Sequence, residues 1–160
     1  MSIFKITEED VASYKHNKNI KKLVKTIYHP NSLIRYRAVE ALGDLEDKSA
    51  IYDILGALED EDEAVRHMAA YSLGEIGDKR AANHIIENIQ YEGSDFQEIA
   101  IYALGEIGGE KAVKYLITVL EDDENDDMRW RAAEAIGKIG SSESALSLII
   151  ALKDRNREVR

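Results

Sequence analysis

The sequence predicts an all-α fold, an α-α superhelix in which helical hairpins with a repeat of about 31 residues stack into a right-handed solenoid. Three columns of residues carry that prediction. Dipeptides of the Leu-Gly type recur at Leu42-Gly43, Leu73-Gly74, Leu104-Gly105 and Ile136-Gly137, at spacings of 31, 31 and 32 residues. A second marker keeps step at Ile34-Arg35, Val65-Arg66, Met128-Arg129 and Val159-Arg160, with Phe96-Gln97 where the pattern calls for another such pair. The third column is the apolar series Ile27, Leu58, Ile89, Leu120 and Leu152. All three share one register, including a single extra residue between Leu120 and Met128, which unrelated matches would not do.

The elements follow in order. Ile20, Leu23, Val24 and Ile27 fit the frame of a second helix, so residues 1–28 are assigned to N-terminal capping helices and residues 29–160 to the repeat array, its last repeat incomplete. Each full unit opens with a first helix. Val65, Ala69, Leu73 and Ile76 fall at i, i+4, i+8 and i+11, one face of a 3.6-residue period. Gly77, Gly108 and Gly140 close these helices, because glycine takes the left-handed conformation without strain. The first unit has Glu46 there, which predicts a different exit turn. A second helix then carries an apolar stripe: Ile51, Ile54, Leu55 and Leu58; Ala82, Ile85, Ile86 and Ile89; Val113, Leu116, Ile117 and Leu120; Ala145, Leu148, Ile149 and Leu152. One hairpin cannot bury both of its stripes, so neighbours must stack on it. Alanine columns and the glycines at 43, 74, 105 and 137 predict close helix approach, since a mid-helix glycine costs roughly 1 kcal/mol against alanine without a packing reason.

The unit resembles the HEAT-like repeat of the phycobilisome-lyase type, on residues such as Val65-Arg66-His67-Met68-Ala69-Ala70-Tyr71-Ser72-Leu73-Gly74-Glu75-Ile76-Gly77. The resemblance spans residues 20 to 160 and implies a binding scaffold. It also implies that Arg35, Arg66 and Arg129 bridge adjacent units through loop Asp residues, with Gln97 a break in that pattern.

Composition sets the outer bounds of function. The chain has 160 residues, no cysteine and a net charge of −10. Without cysteine there is no disulfide framework, Cys-ligated metal or thiol nucleophile. No stretch approaches the roughly 18 apolar residues of a membrane span, and the first residues lack the order of a signal peptide, so a cytoplasmic location is expected. Nucleic acid is not an expected partner, because phosphates are held mainly by basic side chains. The charge is uneven: +3 over residues 1–28, −12 over 29–122 and −1 over 123–160. A protein partner with a basic segment is therefore the expected match.

No catalytic, cofactor or metal residues are assigned. The acidic runs at 59–63 and 121–127 lie where helix N-termini want capping carboxylates. Asp123, Asn125, Asp127 and Glu134 match calcium-loop positions 1, 3, 5 and 12, but Met128 stands where that loop needs glycine. The four histidines make no pair at zinc-site spacing, and His-Glu dipeptides of the di-iron deoxyhypusine hydroxylases are missing.

The docking surface is read as concave and lined by the second helices, with Tyr52, Asp53, His84, Glu87, Asn88, Lys114 and Tyr115 as partner-binding residues. Tyr52 and Tyr115 are the expected anchors, because tyrosine combines contact area with a polar tip. Tyr36, His67, Tyr71, Tyr102 and Trp130 form an aromatic set on the first helices, read as convex. In the last unit the frame places Leu146, Ser147, Ile150 and Ala151 outward, which predicts self-association through Leu146 and Ile150. Beside the scaffold, the resemblance suggests an alternative: an assisting subunit of a bilin lyase or related protein-modifying enzyme.

Overall fold

A computed structural model of the chain describes residues 5–140, 142 and 145–160, with the side chains of Leu146 and Ile150 outside that description. The described residues form ten α-helices and no strand: α1 (Glu8–His16), α2 (Ile20–Thr26), α3 (Ser32–Asp44), α4 (Ile51–Ala57), α5 (Glu63–Ile76), α6 (Ala81–Ile89), α7 (Ser94–Ile107), α8 (Gly109–Asp122), α9 (Asp126–Ile139) and α10 (Ala145–Ala151). A 3-10 turn, Lys48–Ala50, leads into α4.

Polar loop residues start α1 and the first helices of most units. Thr7 and Asp10 make a reciprocal capping box on α1. The Asn31, Asp62 and Asn125 side chains accept from the backbone N–H groups of Leu33, Ala64 and Asp127, at 2.9, 3.0 and 2.9 Å, at the heads of α3, α5 and α9. Both acidic runs thus supply caps and loop turns, with Asp60 and Asp123 accepting from the N–H groups of Asp62 and Asn125. Helix α7 differs: its N-cap is Gly93, which offers no side-chain acceptor.

The first helices α3, α5, α7 and α9 stack side by side into one layer, with α1 and α2 packed on α3 at one end. Their backbones nearly touch. A Cβ built on Gly43 would lie 2.5 Å from Ser72 Oγ, and one on Gly74 would lie 2.8 Å from Ala103 Cα. At Gly105 the nearest atom, Ala135 Cβ, is 3.0 Å away. Ser72 adds a buried hydrogen bond from its hydroxyl to the Val39 carbonyl, which ties α5 to α3. The glycine column is therefore a packing device, and Gly137, with nothing within 4 Å, is the one member of the column without a neighbour to receive.

Between the layers the stripes meet as the periodicity predicts. Leu42, Leu73, Leu104 and Ile136 are fully buried against Ile54, Ile85 and Leu116. Gly77 and Gly140 close α5 and α9 in the left-handed conformation. Glu46 adopts the same sign of φ, +50°, so the first unit makes its exit with a side chain where the others use glycine. Gly108 has φ +62° but an extended ψ, and with Gly109 at φ +85° it turns the chain straight into α8.

The last unit corrects the sequence reading. Ser147 and Ala151, placed outward by the repeat frame, are buried, and the Ser147 hydroxyl donates to Glu121. Ile149 and Leu152, placed in the buried stripe, are 58% and 61% exposed. Ala151 is buried like its counterparts Ala57 and Val119, whereas Ile149 and Leu152 stand exposed on α10, which packs on α8 and α9. Leu146 and Ile150, the residues predicted to self-associate, lie outside the described side chains.

Candidate functional site

What locks one unit to the next is a ladder of side chains along the loop edge. Arg35 donates through Nη1 to the His29 carbonyl at 3.0 Å, and through Nε and Nη2 to both oxygens of Asp60 at 2.8 and 2.7 Å. Arg66 repeats this with the Asp60 carbonyl and the Glu92 carboxylate, and Arg129 with the Asp123 carbonyl and Asp154. Each guanidinium uses its planar fork to join the preceding loop to the following one, which a lysine could not do. The hydrogen bonds to these carboxylates raise the pKa of each arginine, and Arg129 in return holds Asp154 below the usual carboxylate range.

Gln97 corrects the expected break. Its amide donates to Asp123 Oδ2 at 2.9 Å, at the same 26-residue separation that joins Arg66 to Glu92. The rung is kept in a neutral form: one hydrogen bond replaces a bidentate ion pair. The signal was present in the sequence as that shared separation, but residue type alone concealed it.

The seven residues assigned to the second helices divide by environment. Tyr52 is 68% exposed on α4, with the Arg80 guanidinium 5.1 Å from its ring centre. Arg80 is itself held by Asp78 through two side-chain bonds of 3.0 and 2.8 Å, and this pairing takes the Asp78 carboxyl down to about 2. Asp53 is half-buried, while His84 and Glu87 are exposed on α6. Asn88 is half-buried and its amide donates to the His84 carbonyl. Lys114 is exposed and paired with Glu110 one turn earlier. Tyr115 is half-buried against the core, where burial pushes its phenol up and Gln97 touches it. These residues therefore occupy three successive second helices, but Tyr115 is a packed side chain rather than a projecting one.

The first helices also carry Tyr36 on α3, Tyr71 on α5, Tyr102 on α7 and Trp130 on α9, and Tyr71 stacks on Tyr102 with ring centres 5.3 Å apart and planes 9° apart. The Tyr102 hydroxyl donates to Glu75, and that bond together with burial raises its pKa. Between α7 and α9 lies a cleft of about 190 Å³ whose walls are Glu98, Tyr102, Glu106, Arg131, Glu134 and Lys138. Arg131 pairs with Glu98 at 2.9 Å, and Lys138 pairs with Glu106, so both rims are bridged. Sequence reasoning listed Tyr102 only as one of a convex aromatic set and treated Glu134 only as a failed calcium position. Their juxtaposition depends on how α7 and α9 pack. Among the described residues no group of three or more His, Asp or Glu side chains could hold a metal ion, and no helix is long and apolar enough to cross a membrane.

The family profile for HEAT repeats matches residues 20–96 and again residues 93–160. The chain belongs to the HEAT repeat family. The structure of the complex of CpcE and CpcF of phycocyanin lyase from Nostoc sp. PCC7120 is similar at 24% identity and a TM-score of 0.66, over 94% of this chain and 64% of that one. This HEAT array thus spans less than two thirds of the length of that relative. An engineered protein matches at 19% identity and a TM-score of 0.60, over 98% of this chain and 81% of its own. A designed armadillo repeat protein in complex with the peptide (KR)4 matches at 16% identity and a TM-score of 0.59, over 98% and 84%. No curated protein matches the chain in sequence. The repeat is HEAT-like, and the fold is the helical solenoid shared with these structures.

Proposed function

We propose that this HEAT array is a non-catalytic scaffold that holds a protein partner through a basic segment. The observation that carries this reading is the set of exposed aromatic rings, Tyr52, Tyr71 and Tyr102, on units whose net charge from residue 29 to 122 is −12. Tyrosine and tryptophan supply contact area at little conformational cost, and the surrounding carboxylates favour a cationic chain in both encounter and register. The likeness to a designed repeat protein that holds the peptide (KR)4 points the same way. On the sequence-based assignment the partner meets the second helices at Tyr52, Asp53, His84, Glu87, Asn88, Lys114 and Tyr115. The test is a titration of a labelled lysine-rich peptide and its glutamate counterpart. Equal or absent binding of the two rejects the reading, and a Tyr52→Ala variant with unchanged affinity rejects that face.

A second reading makes the chain an assisting subunit of a bilin lyase or related protein-modifying enzyme, favoured by the likeness to CpcE and CpcF of phycocyanin lyase. An absorbance spectrum of free bilin that does not change on addition of the protein would remove it. The exposed Ile149 and Leu152 of α10 support self-association through the last unit, and a monomer mass by light scattering at high concentration would refute that.

A further inference from the structure

The faces of α5, α7 and α9 combine a fixed aromatic ring with a carboxylate that forms no ion pair among the described residues. Tyr102 is held from two directions, by the stacked ring of Tyr71 and by the hydrogen bond from its hydroxyl to Glu75. Its ring therefore cannot swing away, and it forms one wall of the α7–α9 cleft. The cleft floor is apolar, built from Ile101, Gly105 and Ala135. Of its charged walls, Arg131 is matched by Glu98 and Lys138 by Glu106. Glu134 makes no ion pair among the described residues, so the cleft holds one uncompensated negative charge over an apolar floor and beside a tyrosine. An aliphatic stem ending in a cation satisfies all three surroundings, because the stem covers the floor while the head meets the ring and the carboxylate.

We infer that the α7–α9 cleft receives a lysine or arginine side chain from an extended basic segment that crosses the first helices between Tyr71 and Trp130. This deepens the scaffold reading and rests on it, but it moves the docking face from the second helices to the first. The packing supports that move. The backbones of α3, α5, α7 and α9 meet through glycine and alanine, whereas α4, α6 and α8 touch one another far less, and the closer-spaced layer of a two-layer solenoid lies on the inside of its curve. At the usual helix spacing of about 8–10 Å and about 3.3 Å per extended residue, a segment of about six residues spans α5 to α9.

The test uses the full chain and nine-residue peptides of alternating lysine and leucine, or glutamate and leucine, followed through Trp130 fluorescence and the anisotropy of an end label. The lysine peptide should bind with an affinity that falls with salt, and the glutamate peptide should not. Glu134→Gln, an exposed change whose folding is checked by its thermal melt, should weaken binding about fivefold. The double change Asp53→Asn with Glu87→Gln on the second helices should leave it unaltered. If the second-helix pair weakens binding and Glu134→Gln does not, the segment lies on the second helices and the inference falls while the scaffold reading stands. If the wild-type chain binds both peptides alike, the basic-segment reading itself fails.

Discussion

Glycine in the middle of the first helices shows how a single residue is judged by its neighbour rather than by its type. Gly74 and Gly137 occupy equivalent positions, yet a Cβ at Gly74 would press to 2.8 Å on the Ala103 backbone while one at Gly137 would meet nothing within 4 Å. Gly74→Ala is therefore expected to destabilise the fold by about 1–3 kcal/mol, because α5 and α7 must separate. Gly137→Ala should stabilise it by up to about 1 kcal/mol through helix propensity alone. Urea midpoints of the two variants measure both, and equal effects would refute the packing role. A second residue-scale effect depends on pH. Arg80 donates from its side chain and backbone to Asp78 and lowers that carboxyl to about 2, below the value of about 3.9 expected in an unfolded chain. Its contribution to stability is thus present above about pH 4 and is lost as pH falls toward 2. The stability gap between the wild type and Asp78→Asn should shrink over that window, and a gap that stays constant from pH 7 to 2.5 would show that the pairing does not couple to folding.

At the scale of elements, the ladder decides how firmly each hairpin holds the next. Arg129 is almost fully buried and reaches both the Asp123 carbonyl and the Asp154 carboxylate. Arg129→Lys is expected to cost about 1–3 kcal/mol, because a lysine cannot span both acceptors and leaves one of them unmatched. Gln97→Arg should have the opposite sign, about 1 kcal/mol of stabilisation, by restoring a charge-assisted fork to Asp123. Thermal melts of the two variants check the pair. The arginine columns were legible in the sequence because they recur with the period. Their acceptors were less so: Asp60, Glu92, Asp123 and Asp154 are 25 or 26 residues further on, and which acid of each run is used depends on the path of the loop.

Over the whole molecule, stability is close to a sum of units and junctions, so the weakest junction determines where the array parts. Three features coincide at α7: a glycine N-cap without a side-chain acceptor, a neutral rung, and a cleft against α9. Unfolding followed by Trp130, which reports α9, should therefore precede the loss of helical signal by far-UV circular dichroism, and Gln97→Arg should bring the two curves together. Coincident curves in the wild type would show that the junction is as strong as its neighbours.

The repeat, its period, the helical class, the buried stripes and the acid-rich middle were all decided locally. They follow from residue types recurring at helical spacing, so the sequence by itself determined them. Three things waited for the tertiary structure. The exposure of Ile149 and Leu152 on α10 departs from the apolar stripe of the earlier second helices, because α10 packs on α8 and α9 and the positions that a further neighbour covers in the earlier units are left open there. Gln97 kept its rung because the loop brought Asp123 within reach of an amide. The cleft between α7 and α9 exists only where two helices 32 residues apart in register place Tyr102 beside Glu134. Periodicity sets which face of a helix a residue occupies, whereas what it meets there is set by how closely the neighbouring helix approaches.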